Sequence, residues 1–260
     1  DKTFSLLTIV GVITGIGMFG GLAVLPMYLQ IVGGASPTEA GLQLLPLTLG
    51  IMSGSVIAGQ TIGKTGRYKS FILTGTVIVA SALAWMTQIT SHTAYPVIAG
   101  MSLAFGLGLG FLMQPTVLAV QNSVQPRDIG VATSSVTLFR QLGATLGTGI
   151  FLSLLFGRLP ELVKDRFTAA QTDPKFGAAW MDPANADTVK HITSGTFDDT
   201  SWLASANQTL VQPIFDGFTA ATNAVTLVGA VISLLAIAFA IFVPNHEIKH
   251  HDRSAPPAAH

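Results

Sequence analysis

Six apolar stretches, each long enough to cross a bilayer as a helix, take up most of this chain. They run over residues 4–30, 41–63, 71–90, 97–121, 134–157 and 219–243. A helix needs about 20 apolar residues to cross the hydrocarbon core. Only helices or closed barrels satisfy the backbone in lipid, and runs of this length are too long for barrel strands. Charge placement excludes a soluble protein. Charged residues make up 10% of the chain, and all but one of the Lys and Arg, with every acidic residue, fall in connections or at helix ends. A soluble helix would show a polar face every few residues. The expected fold class is all-α: a polytopic membrane protein with six transmembrane helices.

The chain holds no cysteine, which rules out a disulfide, a thiolate nucleophile and a zinc–thiolate site. Its formal net charge of +0 carries no signal for nucleic acid. No cofactor is implied. The chain begins at Asp1 without a Met or a short cleavable signal, and reads as a piece of a longer protein. Lys64, Arg67 and Lys69 sit between the second and third stretches, Arg127 between the fourth and fifth, and Lys249 and Arg253 after the sixth. The two short loops at the other end, around residues 36–40 and 91–96, carry no Lys or Arg. The positive-inside rule then puts both termini in the cytoplasm. Tyr28 and Tyr95 fall where an outer aromatic belt would lie.

Four segments are expected: residues 1–157 with five transmembrane helices, an extracytoplasmic loop over 158–218, a sixth transmembrane helix over 219–243, and a cytoplasmic tail over 244–260. The loop is about 60 residues, too long for a simple connector. Its basic residues Arg158, Lys164 and Arg166 run against the charge rule, which long loops obey poorly. Within it, Leu203, Leu210, Ile214 and Phe218 have the spacing of a helix on the membrane surface; a partly ordered linker is the alternative. His246, His250 and His251 in the tail read as a solvated end rather than a metal site.

A three-plus-three division is visible. The first helix carries Gly11, Gly15, Gly17, Gly20 and Gly21 before Pro26, and the fourth carries Gly100, Gly106, Gly108 and Gly110 before Pro115. Gly/Pro-interrupted helices in matching positions are the sequence trace of a transporter repeat, and such helices bend. Tight packing is the simpler use of the same glycines. In the second helix Gly50 and Gly54, and in the fifth Gly143 and Gly147, place small residues four apart for helix packing.

The loop after the second helix brings a resemblance. Gly59-Gln60-Thr61-Ile62-Gly63-Lys64-Thr65-Gly66-Arg67-Tyr68-Lys69 resembles the cytoplasmic loop signature of the major facilitator superfamily. Gly59 and Gly66 match its glycines, and Arg67 and Lys69 match its basic end. Gly63 stands where the fullest form has an acidic residue. Leu25-Pro26-Met27-Tyr28-Leu29-Gln30, Ser36-Pro37, Ala40-Gly41 and Leu44-Leu45-Pro46 resemble the start of the C-terminal bundle in the fourteen-helix drug:proton antiporter branch (EmrB/QacA type). Ala132-Thr133-Ser134 and Phe139-Arg140-Gln141-Leu142-Gly143 resemble its penultimate helix. The resemblance implies the C-terminal half of a proton-coupled exporter of amphipathic small molecules working by alternating access. Its partners would be the missing N-terminal half, membrane lipids, the cargo and the proton gradient. Its location would be a bacterial-type inner membrane. The coupling acid would lie in the missing half, because no Asp or Glu falls within a predicted span.

Substrate-cavity candidates on the first and fourth helices are Thr14, Met18, Phe19, Phe111, Met113 and Gln114. Met and Phe make an adaptable surface for varied apolar ligands, and each also serves as ordinary packing. Arg140 is the one charge within a predicted span, about two turns from the cytoplasmic end of its helix. It can snorkel to the headgroups, form an inner-gate contact between the two halves, or bind an anion. Gly59, Gly66, Arg67 and Lys69 are assigned to the inner loop and gate. Export of a lipid or cell-envelope precursor is a second reading on the same fold, and a structural six-helix protein is a third. An intramembrane serine protease is excluded, since no His lies in a span.

Overall fold

The computed structural model describes residues 2–194, 201–204 and 206–243. The tail beyond residue 243, with its three histidines, lies outside the described residues. The described chain is helical, without strands. The helices are α1 (Lys2–Ile31), α2 (Pro37–Gln43), α3 (Leu45–Thr65), α4 (Lys69–Met86), α5 (Tyr95–Ser123), α6 (Ile129–Ala170), α7 (Pro174–Met181), α8 (Ala186–Ser194) and α9 (Gln208–Ile241). Six spans are long and apolar enough to cross a membrane; α2 and α3 together form the second. The break between those two falls at Leu44, because Pro46 has no N–H to bond the preceding turn. Ser36 opens α2 with a reciprocal cap: its hydroxyl accepts from the Glu39 N–H, and the Glu39 carboxylate accepts from the Ser36 N–H at 2.9 Å.

Helix packing follows the three-plus-three division. Helix α1 packs mainly on α6 and α9, and α5 packs mainly on α3 and α4. Exchanging α1 with α5, α3 with α6 and α4 with α9 carries the main partners of α1 onto those of α5; the α6–α9 contact, which includes their extensions, has no α3–α4 counterpart of similar extent. Glycines make the two principal crossings. A Cβ on Gly50 or Gly54 would meet the carbonyl oxygens of Leu103 and Leu107 on α5, at 2.5 and 2.7 Å. On α6, a Cβ on Gly143 would run into the Val12 carbonyl, and one on Gly147 would lie 2.6 Å from that of Ile16. The opposing helices answer in kind: Gly110 faces Ile51 and Ser55, and Gly15 faces the Arg140 carbonyl and the Ala144 nitrogen. At these points backbone touches backbone, as small-xxx-small pairs allow.

The structure corrects the expected long loop. Helix α6 continues through Arg158 to Ala170, 42 residues, or about 63 Å at about 1.5 Å per residue. The residues from Gln208 to Phe218 are neither a separate surface helix nor a linker; they are the first turns of α9, continuous with the sixth span. The two extensions pack on each other through Leu159, Val163, Val211 and Ile214, with Phe167 alongside. Arg158, Glu161, Lys164, Asp165 and Arg166 point outward around this apolar stripe. Hydropathy falls where the helix leaves the apolar stretch, but a stripe at spacing 3–4 keeps it helical. Helices α7 and α8 close the end of the stalk; Phe176 is buried and stacks on Trp180 at 5.6 Å between ring centroids.

These crossings give substitutions of opposite sign on one helix. Gly147→Ala should lower the apparent unfolding free energy of the purified protein by about 1–3 kcal/mol, because α1 must shift to admit the methyl. A methyl on Gly157, also on α6, would meet nothing within 4 Å. Gly157→Ala should raise stability by about 0.5–1 kcal/mol. Thermal unfolding in detergent reads both; a loss at Gly147 no larger than at Gly157 would refute the crossing.

Candidate functional site

Because α1 and α5 each lean on their own pair of neighbours, they touch one another only lightly, and a narrow crevice runs between them. Helix α1 lines it with Gly11, Thr14 and Met18, at helical spacing 3 and 4. Helix α5 lines it with Leu109, Leu112, Met113 and Thr116. Arg140 closes it from α6.

The depth of Arg140 differs from the sequence expectation. Helix α6 starts at Ile129, not near Ser134, so Arg140 lies about 16 Å along the helix from its first residue. Its carbonyl opposes Gly15, near the middle of the 30-residue α1. About three turns of helix separate it from the first residue of α6, more than the length of an arginine side chain. Arg140 is half-buried. Among the described residues, the one ion pair is Arg127 with Asp128 at 3.6 Å, and no hydrogen-bond partner faces the Arg140 guanidinium. Thr14 is in a similar position: its buried hydroxyl has no partner. Many threonines in the bundle turn the hydroxyl back on their own helix, as Thr116 does to the Leu112 carbonyl at 2.6 Å, although the buried Thr222 hydroxyl of α9 is, like that of Thr14, without a partner.

Of the residues singled out from the sequence, Thr14, Met18, Met113 and Arg140 meet in this crevice. Phe19, Phe111 and Gln114 do not line it. Phe111 sets its ring edge-on to Phe71 of α4, with centroids 5.3 Å apart. Gln114 is exposed and lies beside Gly59 of α3. Phe19 is half-buried, one residue and hence about 100° around the helix from Met18. Leu109, Leu112 and Thr116 were missed, although their spacing with Met113 marks a single face of α5.

In the loop motif, Gly66 ends α3 in the left-handed conformation at φ 68°, its N–H donating to the Ile62 carbonyl at 2.8 Å. Lys69 opens α4 and reaches across the bundle, its Nζ donating to the Ile241 carbonyl at the end of α9 at 2.8 Å. A cation is well placed at the last carbonyls of a helix. The Arg67 side chain is exposed. Gly59 is not a site of forced approach: a Cβ there would sit 3.7 Å from Gln114, an ordinary contact.

The far end of the bundle is tied by a polar clamp that sequence reading did not foresee. The Tyr28 hydroxyl donates to the Thr90 carbonyl at 2.7 Å, and Asn223 donates to the Ile89 carbonyl at 2.9 Å. Ser91 donates to the Asp216 carboxylate at 2.5 Å, and Gln212 donates to the same oxygen at 3.0 Å. Tyr28 is therefore a buried strut and not part of an aromatic belt. Tyr95 is exposed and donates to the Gln43 carbonyl at 3.1 Å. Among the described residues no group of three or more His, Asp or Glu is arranged for a metal.

Paired glycine crossings, an internal three-plus-three arrangement and a crevice between two Gly-rich helices are features of helical membrane transporters. Residues 2–148 match the Major Facilitator Superfamily, and the chain belongs to that family. It is 31% identical over 251 residues to a tetracycline resistance determinant of Streptomyces rimosus, covering 93% of this chain and 72% of that one. It is 31% identical to the multidrug transporter protein MdtP of Bacillus subtilis over 64% of its own length and 30% of the relative's. It is 37% identical to an uncharacterised transporter of the same superfamily from Mycobacterium tuberculosis, over 65% of its length and 25% of the relative's. The fold matches the crystal structure of a bacterial homolog of the human lysosomal transporter Spinster, in an inward-facing, unoccupied conformation. The TM-score is 0.68 at 14% identity, over 94% of this chain and 47% of that one. The chain thus spans a third or less of the Bacillus and Mycobacterium relatives and about half of the solved transporter.

The Lys69 contact predicts a local effect. Lys69→Met should speed hydrogen exchange at the last turn of α9, around Ala240–Phe242, by about threefold to tenfold, with overall stability changed by less than about 1 kcal/mol. Mass spectrometry of the exchanged protein reads this, and unchanged protection there would remove the contact's role.

Proposed function

We propose that the chain is one six-helix half of a proton-driven exporter of amphipathic small molecules, and that it works by alternating access. The observation that carries this reading is the crevice between α1 and α5, set in a chain that belongs to a transporter family. Its walls are apolar and partly Met-lined, with Arg140, Thr14 and Thr116 as the polar groups. Transporter sites form near mid-membrane between repeats, and flexible Met-rich walls suit varied ligands. The names of the Streptomyces and Bacillus relatives, a tetracycline resistance determinant and a multidrug transporter protein, support the cargo class. The coverage of about half of the solved transporter fits a half-carrier; the choice of the C-terminal bundle of the fourteen-helix branch rests on the loop motif from Gly59 to Lys69 and the run from Phe139 to Gly143.

On this reading both termini face the cytoplasm of an inner membrane, and the α6–α9 stalk stands outside. The exposed apolar faces of α3, with Leu49, Met52 and Val56, and of α6, with Leu142, Leu146 and Ile150, meet lipid and the other half. The carboxylates at the outer ends of the second and sixth spans are already engaged, Glu39 in the cap of α2 and Asp216 in the outer clamp. The proton carrier is therefore assigned to the N-terminal half. The inner loop, with Gly66, Arg67 and Lys69, fixes the ends of α3, α4 and α9 while the halves rock.

A second cargo class is favoured by one feature. The stalk carries a groove of about 220 Å³ lined by Phe167, Phe176, Trp180 and Met181. Gln171 adds a polar group to this aromatic lining, and a mixed aromatic and polar groove on the stalk suits delivery of an amphipathic lipid or cell-envelope precursor.

The test is efflux by the complete natural protein in proteoliposomes. An amphipathic dye should be pumped against its gradient when a proton gradient is imposed, and a protonophore should abolish the pumping. Pumping that survives the protonophore would refute proton coupling; an absence of transport for dyes and lipids alike would favour a structural protein. Phe176→Ala with Trp180→Ala should leave dye efflux within about twofold if the groove serves lipid cargo only, since it lies outside the drug path.

A further inference from the structure

The crevice contains two polar groups that the bundle leaves unanswered. Arg140 is a permanent cation about 16 Å along α6, and no carboxylate among the described residues pairs with it. An unpaired arginine at mid-membrane is costly, and intramembrane cations are retained with a partner or beside water. Thr14 has its hydroxyl buried and without a hydrogen bond, although the Val10 carbonyl one turn back offers the usual acceptor. Both groups line one crevice; the Thr116 hydroxyl on the facing wall is already donated to the Leu112 carbonyl and offers no donor. The rest of the lining is apolar: Met18, Leu109, Leu112 and Met113.

We infer that this crevice is a subsite for a single anionic group, a carboxylate, sulfonate or comparable oxyanion, carried on an apolar cargo. The inference rests on the exporter reading and deepens it by naming the cargo's charge. The guanidinium supplies the counter-charge and a planar pair of donors, and the Thr14 hydroxyl supplies a third donor from the opposite helix. The apolar walls take the hydrocarbon body. A cationic cargo meets the wrong sign at this point, and the low dielectric around it sharpens the difference. The free crevice is narrow, so the anion enters as α1 and α5 part. They are the two Gly-rich helices that lean on other partners and hold each other only weakly.

The test uses the complete protein, purified in detergent, and two dyes of similar size: 8-anilinonaphthalene-1-sulfonate as the anion and ethidium as the cation. Arg140→Gln should weaken sulfonate binding by about tenfold to hundredfold, the loss expected for a charge-assisted bond. Ethidium binding should tighten, because a repelling charge is gone. Thr14→Val should weaken the sulfonate by about threefold to tenfold. Arg140→Lys should keep the charge and most of the sulfonate affinity, and it carries the test together with Thr14→Val if the Gln variant fails to fold. Equal losses for both dyes, or sulfonate binding that ignores all three substitutions, would overturn the subsite. Either result would follow if a carboxylate from the rest of the carrier neutralises Arg140. The exporter reading fails separately: if the unmodified protein in proteoliposomes pumps neither the sulfonate nor ethidium under a proton gradient, it is sunk, whatever the variants do to binding.

Discussion

Backbone-to-backbone contact at two glycine crossings is the constraint from which the rest of the bundle follows. In lipid, apolar side chains gain nothing by leaving solvent for protein, so helices associate through close packing. Gly50 and Gly54 seat α3 on α5, and Gly143 and Gly147 seat α6 on α1. With α4 and α9 added, each Gly-rich helix is held on its outer side by two neighbours. Nothing comparable draws α1 and α5 together. The crevice between them is what remains when both are committed elsewhere, and the pseudo-symmetry of the repeat places it at the centre.

The two ends of the bundle are fastened differently, and the difference suits a carrier. At the terminal end a glycine turn at Gly66 and one long lysine contact join α3, α4 and α9. Such a contact is exposed and screened, worth little, and able to be broken and remade. At the far end Tyr28, Asn223, Ser91, Gln212 and Asp216 bind α1 and α9 to the short connection after α4. Several of these bonds are partly buried and mutually linked, so they give way together or not at all. The stalk formed by α6 and α9 extends this firmer end well beyond the apolar region.

The first and second halves of the chain were legible to different degrees. The six spans, the repeat and both glycine pairs are written in composition and spacing, because a bilayer imposes a length and close packing imposes small residues. The stalk was not legible as helix. Hydropathy drops at Arg158, and a rule tuned to lipid reads the drop as a loop. The stripe of Leu159, Val163 and Phe167 is too short to announce a helix without knowledge that α9 runs beside it. The same limit hid the fate of Trp202–Phe218, most of which is the opening of α9.

For the candidate site, the residue types were read correctly more often than their directions. Met18 and Phe19, or Met113 and Gln114, are neighbours in sequence and sit about 100° apart on a helix. Which of them faces the crevice depends on how α1 and α5 are rotated by their glycine contacts. The sequence alone determined that this chain lives in a membrane, that it crosses six times, that it repeats a three-helix plan, and that it carries one isolated internal arginine; each follows from the cost of polar groups in hydrocarbon. Only the tertiary structure decided that Arg140 and Thr14 share a crevice, that Phe111 turns away to Phe71, and that Tyr28 is a buried strut. Those outcomes rest on helix rotation and depth, which are set by contacts between segments far apart in the chain and leave no local trace.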